Sequence, residues 1–144
     1  MQLSDLFKNE YQYQLKSINY HLVEPVVVQQ SYQICCKDFV QAIPETDNSV
    51  QFIFRREIAF EPENLFAVEV SFAATLTYKD DLSEDVKNTP LSELEAAFRH
   101  TNDAYSTNLA ARASLLIAQI TSSYGQQPLV TPPVICAEES VSAE

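Results

Sequence analysis

Few side chains in this sequence could carry chemistry. Cysteine stands at Cys35, Cys36 and Cys136, and histidine at His21 and His100. A thiol beside an imidazole would make an activated nucleophile, but no local motif sets these residues together. A structural zinc site takes about four nitrogen or sulfur ligands at ordered spacing, which two adjacent cysteines, one distant cysteine and two scattered histidines do not supply. The acidic run Asp80-Asp81-Leu82-Ser83-Glu84-Asp85 lacks the glycine and the alternating ligand positions of a calcium loop. It reads as a solvated connection. Gly125 is the only glycine, which excludes a glycine-rich phosphate loop. No catalytic residue, metal ligand or cofactor is therefore assigned, and an enzyme is not expected.

Composition narrows the classes further. The chain has 144 residues, 46 % of them apolar, which suits one domain with a sizeable core. Residues 1–136 are expected to form that domain, with residues 137–144 as a flexible acidic tail. The net charge is −11, distributed as −2 over residues 1–60 and −9 over residues 61–144. Such a surface repels phosphate backbones and anionic lipid, so nucleic acid is not an expected partner. No apolar run approaches the length of about 18 residues that spans a membrane, and Met1 to Glu10 has no apolar core of a signal peptide. Neighbouring cysteines on a strand point to opposite faces, so Cys35 and Cys36 are poorly placed to pair. The thiols read as reduced, in a cytoplasm.

The elements follow from periodicity. Leu65 to Tyr78 alternates Phe66, Val68, Val70, Phe72, Ala74, Leu76 and Tyr78 with a wetter set, a half-buried strand. Val50 to Phe60 precedes it with Phe52, Phe54, Ile58 and Phe60 on one face, interrupted by Arg56. Glu61-Pro62-Glu63-Asn64 turns the pair into an antiparallel hairpin. Tyr11 to Val28 is a third strand whose apolar set switches from odd to even positions, which predicts a bulge near Ser17, with Pro25 bending or ending it. Tyr32 to Val40 is a fourth, weaker strand, closed by Pro44. Thr89-Pro90 predicts a helix start, with Thr89 as cap, for a helix ending near His100. A longer helix spans about Ser106 to Tyr124, with Leu109, Ala113, Leu116, Ile117, Ile120 and Tyr124 as its stripe and Gly125 as its cap. Strands followed by helices predict an α+β fold: a four-stranded antiparallel sheet with two helices packed on one face. Apolar side chains on those helices, Phe98, Leu109, Leu116 and Ile117, predict a homo-oligomer, dimer or tetramer, joined through helices.

Beyond the long helix, Gln126 to Ile135 carries three prolines and cannot be helical. Its apolar residues Leu129, Val130, Val134 and Ile135 admit two readings: a strap that covers the core, or a stiff wall of an apolar groove open to a peptide.

The order of these elements resembles the SecB export chaperones. The resemblance rests on Leu65-Phe66-Ala67-Val68-Glu69-Val70 in the last strand, Asn108-Leu109-Ala110-Ala111-Arg112 in the long helix, and Gln127-Pro128-Leu129-Val130-Thr131-Pro132-Pro133-Val134 after it. It implies a cytoplasmic, ATP-independent holdase, assembled as a dimer of dimers, that binds unfolded or nascent polypeptides in long apolar grooves. Tyr124, Leu129, Val130, Val134 and Ile135 would contact the client. Glu69 would lie on the outer sheet face, where export members dock the SecA translocase. The chain departs from the export pattern at Ala67 and Val68, at Leu22 and Val26 where acidic residues are expected, and in ending at Glu144 without a second amphipathic helix. The alternative implied function is an adaptor for one dedicated partner, such as an antitoxin.

Overall fold

A computed structural model describes residues 1–23, 33–61, 65–100, 103–123 and 128–136. Its strands are β1 (Gln12–Leu22), β2 (Gln33–Thr46), β3 (Ser49–Glu61) and β4 (Phe66–Thr77). They form one antiparallel sheet in the order β1-β4-β3-β2, so β1 and β2 are its edges. Helices α1 (Glu84–Lys87), α2 (Leu91–Phe98) and α3 (Ala104–Ser123) follow. α3 lies across β4 and β3, and α2 against β2. This is the expected α+β architecture.

Alternation decides which face the helices cover. Phe52, Phe54, Ile58 and Phe60 of β3 and Phe66, Val68, Val70, Phe72, Ala74 and Leu76 of β4 are all buried. They meet Leu94 and Phe98 of α2 and Leu109, Ala113 and Ile117 of α3 in one cluster. Phe52 stacks on Phe98 with centroids 4.8 Å apart.

The predicted bulge in β1 is present, as a register shift between Leu15 and Ser17. Before it Tyr13 and Leu15 lie opposite Ala74 and Phe72. After it Ile18, Tyr20 and Leu22 lie opposite Val70, Val68 and Phe66. Paired residues share a face, so the extra residue keeps the whole apolar set on the helix side.

Several boundaries differ from expectation. β2 continues past Val40 to Thr46, with Pro44 opposite Val50. An edge strand tolerates a missing N–H that a central strand does not. Met1 to Glu10, for which the sequence predicted no element, contains a 3-10 turn, Leu3–Asp5, and Leu3 and Phe7 are at 0 % exposure. Phe7 stacks on Tyr78 at 4.6 Å, and the Tyr105 hydroxyl donates to the Phe7 and Lys8 carbonyls. The acidic connection contains α1, capped by Ser83. Pro90, at ψ 144, is the residue before α2 and not its first, and the Thr89 hydroxyl donates to the Val86 carbonyl instead of capping α2. α3 starts at Ala104, because the Asp103 carboxylate accepts the Ser106 N–H at 2.7 Å.

With so little glycine, a left-handed backbone position falls on Leu65, at φ 62. Its Cβ makes that conformation unfavourable by roughly 1–2 kcal/mol. The expected turn at Pro62 to Asn64, the bend at Pro25 and the cap at Gly125 lie outside the described residues.

Candidate functional site

The proline-rich segment is fixed by its backbone. Prolines have no N–H to offer, so the segment's carbonyls need donors from elsewhere. Arg56 supplies them. From β3 its Nη1 donates to the Thr131 hydroxyl at 2.9 Å and the Pro132 carbonyl at 2.6 Å, and its Nη2 donates to the Val134 carbonyl at 2.9 Å. The same guanidinium holds Asp38 of β2 through two bonds of 2.8 Å. Both side chains are fully buried. Burial works against the Arg56 charge, but the Asp38 carboxylate outweighs it and holds the guanidinium proton above its already high ordinary value. Asp38 Oδ2 also accepts the Cys136 N–H at 2.8 Å.

α3 holds the other side of the segment. Ser114 Oγ donates to the Thr131 carbonyl at 2.6 Å, and Thr121 Oγ1 accepts the Leu129 N–H at 2.9 Å. Seven residues apart, these two hydroxyls share one helix face. The segment therefore runs antiparallel to α3.

The expected client-contact residues divide. Ile135 is 4 % exposed and belongs to the core, and Leu129 is half-buried against it. Val130 is 79 % exposed and Val134 36 %. Backbone and Ile135 act as a strap, while Val130 and Val134 face outward. Tyr124 lies outside the described residues.

A second apolar surface lies along β1. Tyr13, Leu15, Ile18 and Leu22 point to the helix side, yet remain 41–72 % exposed, because α3 packs mainly over β4 and β3. Asn108 and Arg112 reach toward β1: the Asn108 amide donates to the Tyr11 hydroxyl at 2.7 Å, and Arg112 lies 4.1 Å over the Tyr13 ring. Leu115, 62 % exposed, shares their side of the helix by spacing. By contrast Phe98, Leu109 and Ile117, expected to join subunits, are 0 % exposed and buried within the chain, with Leu116 half-buried against them. The strand row was legible as an apolar face. Its exposure was not, because periodicity does not reveal how far a helix covers a sheet.

The two sheet edges differ. On β2, the Ala42 N–H donates to Glu95 Oε2 at 2.8 Å and the Asp38 carbonyl accepts from Arg99 at 2.7 Å, so α2 covers that edge. Among the described residues, β1 pairs on one side only, with β4.

Glu69 lies on the outer face, as alternation predicts, opposite Asn19 of β1 and Glu57 of β3. Arg55 stands 3.1 Å from Glu57 and 4.0 Å from Glu69, and its guanidinium lies 4.3 Å over the Phe39 ring. A depression of about 260 Å³ is lined by Met1, Gln2, Ser4, Ala97, His100, Asp103 and Ala104. Its carboxylate, Asp103, is engaged in capping α3. Among the described residues, no helix is long and apolar enough to cross a membrane.

Comparison with solved structures finds this architecture in the SecB-like chaperone Rv1957 of Mycobacterium tuberculosis, in complex with a ChAD peptide from the Rv1956 HigA1 antitoxin. The TM-score is 0.59 and the identity 18 %, over 88 % of this chain and 90 % of that one. No protein-family model matches the sequence, and no curated protein does. The chain thus has the fold of a SecB-like chaperone.

Proposed function

We propose that this protein is a cytoplasmic, ATP-independent holdase that binds unfolded or nascent polypeptides, with no catalytic role. The observation that carries this is the row Tyr13, Leu15, Ile18 and Leu22, left in solvent on an open edge strand. The fold's likeness to a chaperone that is solved with a peptide supports it. An extended client adds its backbone to the β1 edge and lays apolar side chains on the row and on Leu115. Val130 and Val134 give a second apolar contact on the strapped segment. Burial contributes about 25 cal/mol per Å² of apolar surface before ordering costs are set against it. Such binding reads backbone and apolar content, and so accepts many sequences. The test is suppression of aggregation of a chemically unfolded protein without nucleotide. Full aggregation at stoichiometric excess of the chaperone would reject the reading.

A second reading has its own support. The solved counterpart holds a peptide from one antitoxin, which favours an adaptor for a dedicated partner. Capture from a lysate of one dominant protein, instead of many unfolded chains, would select it. In either case Glu69, with Glu57 beside it, is the proposed outer-face contact for a partner such as SecA. Arg55 offsets part of that acidic charge. Loss of that contact on Glu69→Lys, with client binding intact, is the expected result.

A further inference from the structure

We propose that Cys36 and Cys136 are a redox-sensing pair that closes into a reversible disulfide and staples the proline-rich segment to β2. Their sulfurs stand 3.6 Å apart, although the residues are 100 positions apart in the chain. A disulfide requires about 2.05 Å, so each sulfur moves by less than about 1 Å. The placement is built. Cys36 sits on the helix side of β2, opposite Ile58, two residues before Asp38 on the same face. Asp38 in turn fixes the Cys136 N–H at 2.8 Å. Cys35 pairs with Ala59 in the register, on the opposite face, and does not compete. Cys36 and Cys136 are both partly buried, and neither is fully enclosed.

The same cluster invites a metal reading, since Sγ of Cys36, Sγ of Cys136 and a carboxylate oxygen of Asp38 lie within 4.8 Å of one another. The carboxylate argues against it. Both its oxygens are engaged by Arg56, one also by the Cys136 N–H, and a fixed guanidinium among the ligand atoms repels a cation.

The oxidant is a low-molecular-weight disulfide, RSSR. The two thiols differ. The two sulfurs share a hydrogen bond in which, once Cys136 is ionised, Cys36 is the donor; this lowers the pKa of Cys136, while the same contact, with burial, pushes Cys36 up. Cys136 therefore attacks first. Its thiolate forms a bond to one sulfur of RSSR and the other leaves as RS⁻, which takes up the proton Cys136 released. The Cys36 thiolate then attacks Cys136 Sγ and expels the second RS⁻, which takes the proton of Cys36. Two protein thiols are oxidised by two electrons, and RSSR is reduced to two RSH. In a reducing compartment such a bond is transient, which is what a sensor requires. This inference stands apart from the chaperone reading and holds whether or not clients bind.

The test uses the full chain with oxidised glutathione, followed by peptide mapping without reductant. The expected product is an intramolecular Cys36–Cys136 peptide lacking two hydrogens, with a melting temperature about 5–10 °C higher, reversed by dithiothreitol. Cys136→Ser should abolish both changes and Cys35→Ser neither. If Cys136→Ser does not fold, the mapped linkage in the unaltered chain decides. A persistent glutathione adduct, a linkage through Cys35, a bridge between chains, or the linkage without a rise in melting temperature would overturn the proposal.

Discussion

Arg56 breaks the apolar alternation of β3, and in the sequence it reads as an interruption. In the fold it is the residue on which the C-terminal segment hangs. One guanidinium joins β3 to Asp38 on β2 and to Thr131, Pro132 and Val134. Removing one partner of a buried pair leaves the other charged and unpaired, which costs about 3–5 kcal/mol. Arg56→Met and Asp38→Asn should each lower stability to urea by roughly that amount and open residues 128–136 to proteolysis. An apolar replacement of both partners should cost less than the two single changes added together. Asp103 gives a second, pH-dependent prediction. Burial raises its carboxyl above the usual carboxylate range, while the bonds from Ser106 lower it by less. A raised acid stabilises the fold fully below its unfolded pKa of about 3.9, and that contribution is lost as pH rises through the folded value. Asp103→Asn keeps an oxygen to cap α3 and removes the buried charge. The variant should therefore gain on the unaltered protein as pH rises from about 4 toward 7, and the gain should vanish in acid. Melting curves of the two proteins across that range check it.

At the scale of elements, what could be read depended on whether the signal was local. The strands of the β3–β4 hairpin declared themselves by period two, and the face switch between Leu15 and Ile18 located the bulge. Leu109, Ala113 and Ile117 marked the buried stripe of α3. The N-terminal turn stayed hidden because Leu3, Leu6 and Phe7 are too few to show a period, and only Tyr78 and Phe52 make sense of them. The Arg56–Asp38 pair was equally hidden, since it joins two strands at a register that no single segment specifies. For residues 128–135 the sequence left strap and groove wall open, and the structure divides the work residue by residue. Ile135→Ala removes a core side chain and should cost about 2–5 kcal/mol. Val130→Ser alters a side chain that is 79 % exposed, so the melting temperature should hold. Peptide affinity should fall if Val130 contacts a client. Both quantities measured on both variants separate the strap from the wall, and unchanged affinity in Val130→Ser would remove that residue from the proposed site.

At the scale of the whole molecule, the distribution of charge and apolar surface bears on assembly. The subunit contacts expected from Phe98, Leu109 and Ile117 are closed off, because those side chains fill the chain's own core. Exposed apolar side chains gather on β1, with Leu115 on the flank of α3, while Ile34, Leu65, Leu91, Val130 and Val134 are exposed elsewhere. The edges point the same way: α2 covers β2 through Glu95 and Arg99, while among the described residues the outer side of β1 pairs with no strand, the condition under which edge strands associate. Most of the negative charge lies in residues 61–144, whereas β1 itself carries Lys16 and no acid. Two β1 edges can approach with little local repulsion, although a net charge of −11 on each chain opposes association over distance, and a second copy there competes with the client proposed for the same edge. Light scattering at micromolar concentration should therefore report a dimer or tetramer. Its dissociation should weaken as salt is raised from about 0.01 to 0.15 M, since screening shortens the reach of that repulsion from about 30 to 8 Å. Leu15→Lys with Ile18→Lys should give a folded monomer, because both side chains are nearly half-exposed and long lysine stems can stay in water. An unchanged mass in the double variant would place the joint elsewhere, and Leu115→Lys would then test the α3 flank by the same measurement.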